Sequence, residues 1–133
     1  MKNLVETAIA VGNFKVLINA LQEAGLIDTL SREGPFTIFA PTDEAFSQLS
    51  SKSLEHFLKN IERLTEILTY HIIANKIMSK EVLKIKNAKT FNGKEISIGI
   101  TRGFKIDKAN VIKTDIECSN GVIHVIDKVL IPD

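Results

Sequence analysis

The stretch GPFTIFAPTDEAF, residues 34–46, decides the reading of this chain. Its compact apolar run, Phe36, Thr37, Ile38, Phe39 and Ala40, reads as a buried strand that passes through Pro41 into the polar pair Thr42 and Asp43. A helical pattern starts at once, at Glu44. Thr42 or Asp43 can accept a hydrogen bond from one of the free backbone N–H groups that open the helix carrying Ala45 and Phe46. Strand, sharp stop and helix start thus share thirteen residues. A catalytic reading of Asp43 and Glu44 finds no support, because sequence neighbours diverge on a helix and no motif sets a second acid opposite them.

Upstream of this stretch the pattern is helical. Asn3 followed by Glu6 has the form of a capping box, and Leu4, Val5, Ala8, Ile9 and Val11 give a first short helix an apolar side that Gly12 and Asn13 end. From Phe14, apolar positions Leu17, Ile18, Leu21, Ala24 and Ile27 recur at three- and four-residue spacing, which predicts an amphipathic helix stopped near Gly25. One further turn is expected over residues 28–30.

Downstream, Ala45, Phe46 and Leu49 make a short helix face, residues 47–53 connect, and Ser53 is placed to cap a helix with Leu54, Phe57 and Leu58. Ile61, Leu64, Ile67, Leu68, His71 and Ile72 continue at helical spacing, putting His71 on the apolar side. Residues 75–79 are read as a short strand, and Ser79 as the cap of a brief helix reaching Leu83. Beyond Lys86 the period changes to two, with Ile96, Ile98 and Ile100 separated by Ser97 and Gly99. Turn signals follow at Asn92-Gly93, Arg102-Gly103, residues 107–110 and Asn120-Gly121, where an Asn-Gly pair readily supplies the positive φ of a two-residue hairpin. The last strand, residues 122–131, is apolar on nearly every residue, as expected of a central strand covered on both faces. The whole predicts an α+β fold, helices first and antiparallel sheet later, with no internal repeat.

Size and composition bound the function. At 133 residues the chain fits one domain, residues 1–133, able to bury roughly two thirds of its unfolded surface. The hydrophobic fraction of 44% and charged fraction of 25% are those of a globular protein. Seventeen basic against sixteen acidic residues, a formal charge of +1 with no long block of either sign, argue against nucleic acid as partner. Cys118 is the single cysteine, so no internal disulfide forms and a cysteine-based structural metal site has no companions. No apolar run is long enough to cross a bilayer, and Glu6 interrupts what would be the apolar centre of a signal peptide. Gly-rich phosphate loops, GxSxG, HExxH and paired-cysteine motifs are all missing from the sequence, and no enzyme activity or cofactor is expected.

Three segments carry a resemblance at matching order and spacing: GPFTIFAPTDEAF at 34–46, TYHII at 69–73 and SNGVIHVIDKVLIP at 119–132. They resemble the motifs of the fasciclin-like domain family, whose members are mostly secreted or surface-anchored adhesion modules. The resemblance implies an N-terminal helical cluster packed on a mostly antiparallel two-layer β wedge. It implies a non-enzymatic adhesion or surface-interaction module, expected as a monomer in an extracellular, periplasmic or cell-surface setting, with a surface protein or a polysaccharide as partner. Integrin recognition in animal members would fall here on Asp115 and Ile116 and on Tyr70 and His71. The alternative implied by algal relatives is a carrier of a small hydrophobic ligand such as a carotenoid or lipid.

The bland readings weigh more at each of these positions. His71 and His124 sit in apolar segments, where a histidine usually donates one ring N–H and fills space, and Cys118 reads as a small buried hydrophobe rather than half of a Cys118–His124 pair or a metal ligand. His56 is expected to be solvated. Asp115 and Ile116 lie in a plainly alternating strand, residues 114–117, and the 67–73 segment has core spacing. Thr42, Asp43, His71, Asn120, Gly121 and His124 are therefore expected to be structural, with Asp43 or Thr42 bonded to His71 or His124 so that helix is tied to sheet.

Overall fold

The computed structural model describes residues 2–32, 34–49, 52, 55–56, 59–82, 84, 86–99, 105–107 and 109–130. The helices are α1 (Leu4–Val11), α2 (Lys15–Glu23), α3 (Ile27–Ser31), α4 (Asp43–Ser47), α5 (Ile61–Thr69) and α6 (Ser79–Val82). The strands are β1 (Phe36–Pro41), β2 (Ile72–Ile73), β3 (Asn87–Lys89), β4 (Glu95–Gly99), β5 (Lys105–Ile106), β6 (Ala109–Cys118) and β7 (Gly121–Ile126). They pair in the order β2-β1-β7-β6-β5-β4-β3. All pairings are antiparallel except β1 with β7, which run parallel from Phe36 opposite Gly121 to Pro41 opposite Ile126. A parallel pair needs a crossover connection, and here the crossover is most of the chain. The first motif is thereby laid beside the last.

Every residue of β1 and of β7 is buried. Because successive strand side chains point to opposite faces, these two strands form a wall between two cores. On one side Ile38, Ala40, Ile123 and Val125 pack with Leu4, Leu17, Leu21 and Leu30 of the helical cluster. On the other, Phe39 and Ile126 pack with Tyr70, Ile96, Ile98 and Ile106, so the later strands fold over as a second layer. This is the α+β architecture expected, with the continuous apolar reading of the last strand explained by cover on both faces.

Local signals account for the helix ends. In α1 the Asn3 side chain accepts from the Glu6 N–H at 2.8 Å while the Glu6 carboxylate accepts from the Asn3 N–H at 3.1 Å, and Gly12 ends the helix at φ +87°. The single further turn is α3. In β4 the exposures alternate as its sequence does, and Gly93 supplies φ +96° between β3 and β4.

Five expectations are corrected. The helical run does not extend to Ile72: α5 ends at Thr69, and Ile72 and Ile73 are drawn into β2 by pairing with Ile38 and Thr37 of β1. That pairing also displaces the strand expected over 75–79, which is irregular as far as the start of α6. The β6–β7 hairpin turns on Ser119 and Asn120, with Cys118 opposite Gly121, and neither Asn120 nor Gly121 has positive φ. The last strand is also shorter than the expected 122–131, since β7 ends at Ile126 and residues 127–130 are irregular. Finally, 114–117 does not alternate plainly: the register with β7 shifts between Lys113 and Ile116, and Asp115 sits at φ +58° in the resulting bulge. The expected helix with Ser53, Leu54, Phe57 and Leu58, the helix end at Leu83, the strand position Ile100 and the turn at Arg102-Gly103 lie outside the described residues.

Candidate functional site

Polar side chains of the three motifs gather around the wall between the two cores, and those of Thr37, Thr42, Asp43, His71, Asn120 and His124 bond to main chain. Thr42 caps α4, its hydroxyl accepting from the Ala45 N–H at 3.1 Å. Asp43 does a different task. Phe14 stands at the N-cap of α2 with no side chain able to accept a bond, and the Asp43 carboxylate accepts from the Val16 N–H at 2.8 Å in its place. The Asp43 N–H in turn donates to the Asn13 carbonyl at 2.8 Å. The expected bond from either residue to His71 or His124 is not made, because both ring nitrogens of each histidine bond other partners.

His71 and Tyr70 leave α5 in opposite roles. The Leu130 N–H donates to His71 Nε2 at 2.9 Å, which requires that nitrogen to be bare, so Nδ1 carries the proton and donates to the Ile67 carbonyl at 2.7 Å. The neutral ring therefore clips the end of the helix to the segment after β7. Burial pushes its pKa down to about 4, against the opposing pull of the Ile67 carbonyl and the Asp107 charge. Tyr70 is buried too, and its hydroxyl donates to Asp107 Oδ2 at 2.7 Å. Asp107, which sequence reading marked only as a turn, also accepts from the Ser97 N–H at 2.8 Å and has φ +52°.

Asn120 fastens the opposite end of the wall. Its Oδ1 accepts from the Leu4 N–H at the start of α1 at 2.9 Å, and its Nδ2 donates to the Leu30 and Arg32 carbonyls at the end of α3, both at 2.7 Å. Its own carbonyl accepts from the Phe36 N–H at 3.0 Å. The neighbouring Gly121 is needed for closeness rather than for positive φ: a Cβ there would stand 2.1 Å from the Phe36 carbonyl oxygen. Gly34 meets the Asn120 carbonyl in the same way. Thr37, a polar residue in an apolar strand, was a signal overlooked; its hydroxyl donates to the Asn75 carbonyl and accepts from the Ile77 N–H at 2.8 Å.

His124 is fully buried in β7, its ring stacked on Phe39 with centroids 5.7 Å apart. The Asp115 N–H donates to its Nδ1 at 3.2 Å, so Nε2 carries the proton and donates to the Ile77 carbonyl at 2.8 Å. Burial lowers its pKa, opposed by the Ile77 carbonyl and the Asp115 charge. Both ring nitrogens are thus committed, and His124 forms no catalytic pair with Cys118. That thiol lies in the helix-side core, where burial raises its pKa against the pull of Thr7 and Lys76, leaving it a weak nucleophile. Among the described residues no group of three or more His, Cys, Asp and Glu is placed to hold a metal ion. Of the residues implied by resemblance, Tyr70 and His71 are buried, whereas Asp115 and Ile116 are half-exposed on the bulge. His56 is exposed as expected.

The model of the fasciclin domain family matches residues 12–132. The chain belongs to the fasciclin domain family. Among curated proteins this fasciclin domain is 41% identical to the Synechocystis protein sll1735 over 98% of each chain. It is 36% identical to the pig transforming growth factor-beta-induced protein ig-h3 over 90% of its own length, which is 18% of that larger protein. Its fold is similar to the FAS1 domain pair of the insect cell adhesion molecule fasciclin I, with a TM-score of 0.71 and 22% identity, covering 91% of this chain and 46% of that one.

The described residues of the fasciclin domain form, among others, two open clefts. One, of about 490 Å³, lies over the β6–β7 turn between Arg32 and Lys76. The other, of about 310 Å³, runs between α1 and α2 and is lined by Ala8, Ile9, Phe14 and Ile18 with Lys15 at its edge. No helix among the described residues is long and apolar enough to cross a membrane.

Proposed function

We propose that this fasciclin domain is a non-enzymatic adhesion or surface-interaction module, folded as one domain over residues 1–133 and acting as a monomer in an extracellular, periplasmic or cell-surface setting. Its partner is a surface protein or polysaccharide. The observation that carries the reading is the β6 bulge. In that bulge Asp115 and Ile116 stay part-exposed, Ile116 with one side against the core, while Tyr70 and His71 are buried inside the fold. Bulges re-aim side chains and recur beside functional sites. Kinship with ig-h3 and with the cell adhesion molecule fasciclin I supports the same class.

The test is capture of the purified domain on immobilised host surface proteins and polysaccharides, wild type against Asp115→Ala. Weaker capture by the variant at an unchanged melting temperature supports the bulge as the site; equal capture removes Asp115 from it.

A second reading, carriage of a small hydrophobic ligand such as a carotenoid or lipid, is favoured by the apolar groove between α1 and α2. Its volume of about 310 Å³ reaches the lower end of the roughly 300–1,000 Å³ range of ligand pockets. Bound ligand would raise the melting temperature in proportion to its saturation. Incubation with a fatty acid or carotenoid that gives neither this rise nor a spectral shift rejects it.

A further inference from the structure

The bulge that carries Asp115 rests on the side chain of His124. Its left-handed residue, Asp115 at φ +58°, directs its N–H away from a regular ladder partner and onto Nδ1 of His124 at 3.2 Å. The ring cannot turn to avoid this, since Nε2–H is fixed on the Ile77 carbonyl at 2.8 Å and one face is stacked on Phe39. We propose that His124 is the positioning residue for the Asp115–Ile116 surface, and that protonation of its ring at Nδ1 releases the bulge and reshapes that surface. This rests on the reading of the bulge as the partner-binding site.

The chemistry follows from the donor and acceptor inventory. A neutral imidazole offers one donor and one acceptor, and an imidazolium offers two donors. Taking a proton from water at Nδ1 replaces an acceptor with an N–H that points at the Asp115 N–H. Two donors then face each other at 3.2 Å, and the strained left-handed residue loses the bond that stabilises it. The nearest relief is a rotation about the bulge that brings the Asp115 carboxylate, instead of its N–H, towards the cationic ring.

The groups facing the ring are few. Asp115 is the charged group whose field acts on it. On the same strand Lys113 and Glu117 are exposed, and Lys76, next to Ile77, lies 3.7 Å from Glu117. From Phe36 to Pro41, β1 contributes no titratable side chain, and within β7 His124 is the sole one. Burial lowers the ring's pKa from the ordinary histidine value, so the ring is neutral and the surface set at neutral pH, and acidification favours the charged ring.

Nuclear magnetic resonance on the full chain tests this without any partner, so its failure is distinct from failure of the adhesion reading. The His124 ring Cε1–H and the Asp115 and Ile116 amides are followed from about pH 7.5 to about pH 4.5. The expected result is that both amides shift with the midpoint of the His124 ring, while α2 amides stay in place. In His124→Gln, whose amide can donate and accept without charging, that transition disappears. The proposal is overturned if the Asp115 amide stays still through the ring midpoint, or if the ring charges only as the whole chain unfolds. It is equally overturned if His124→Gln keeps the wild-type transition. Should the variant not fold, the wild-type titration decides alone.

Discussion

Acidification should unfold this domain through His71 in a way that can be calculated. The ring is 2% exposed, and its pKa is lowered from 6.5 to about 4 by burial. The folded state therefore prefers the neutral ring, and between these two values the unfolded chain binds more protons. Stability must then be fully present above pH 6.5 and fall as pH drops towards 4. With about 1.36 kcal/mol per pKa unit, the full loss is about 3 kcal/mol, of which about 2 kcal/mol is reached by about pH 5. His124 and the carboxylates add their own dependence, so the measurement is a difference of differences. Urea unfolding of wild type and His71→Gln is compared at about pH 7.5 and about pH 5. Gln can still donate to the Ile67 carbonyl and accept from the Leu130 N–H, but it does not charge. The wild type should lose about 2 kcal/mol more than the variant between the two pH values, whatever stability the variant starts from. An equal loss in both proteins would show that folding does not depress the His71 pKa.

Three further substitutions report on the other fastenings. Gly121→Ala forces a Cβ onto the Phe36 carbonyl across the parallel β1–β7 pair, and should cost about 3 kcal/mol, or about 10 °C in a thermal melt; a loss under about 1 kcal/mol would mean the strands separate freely there. Asn120→Ala leaves the Leu4 N–H and the Leu30 and Arg32 carbonyls without their partner, and at about 1 kcal/mol each the denaturant midpoint should report a loss of about 3 kcal/mol. Asp43 and His71 serve different elements and share no bond, so Asp43→Ala and His71→Gln should add within about 0.5 kcal/mol in a double-mutant cycle. A larger coupling would restore the direct tie between helix and sheet.

The helical half of this fold was legible because its signals are local. Asn3 with Glu6, Gly12, Thr42 and the spacing of Leu17 and Leu21 act within one or two turns, and all four do in space what they announce in sequence. The errors came where a distant strand competes for the same residues. Ile72 continues the helical spacing, yet β1 offers it a ladder partner, and tertiary pairing outweighs a last helical turn. The Asn120-Gly121 pair has the form of a hairpin turn, but its two residues are occupied by α1, α3 and β1, none of which a short window can see. The bulge at Asp115 was invisible for the same reason: residues 114–117 alternate, and only the register with β7 shows the extra residue.

The candidate site was half legible. Motif membership singled out His71, His124, Asp43 and Asn120, but not their partners, which are mostly main-chain groups far along the chain to which residue identity gives no clue. Tyr70 and His71 share a motif with exposed-sounding chemistry, but the cover of β3 to β5 and of Leu130 takes both out of reach of a partner. Asp115, in the β6 bulge, is part-exposed.

Whether the motif side chains are committed inside the fold is reported most directly by the two histidines. Long-range nitrogen–proton correlation of the imidazole rings at about pH 7 reads which nitrogen carries the proton. The bonding predicts two neutral rings in opposite tautomers, His71 protonated at Nδ1 and His124 at Nε2. Two rings in the same tautomer, or rings averaging between tautomers as in water, would contradict it.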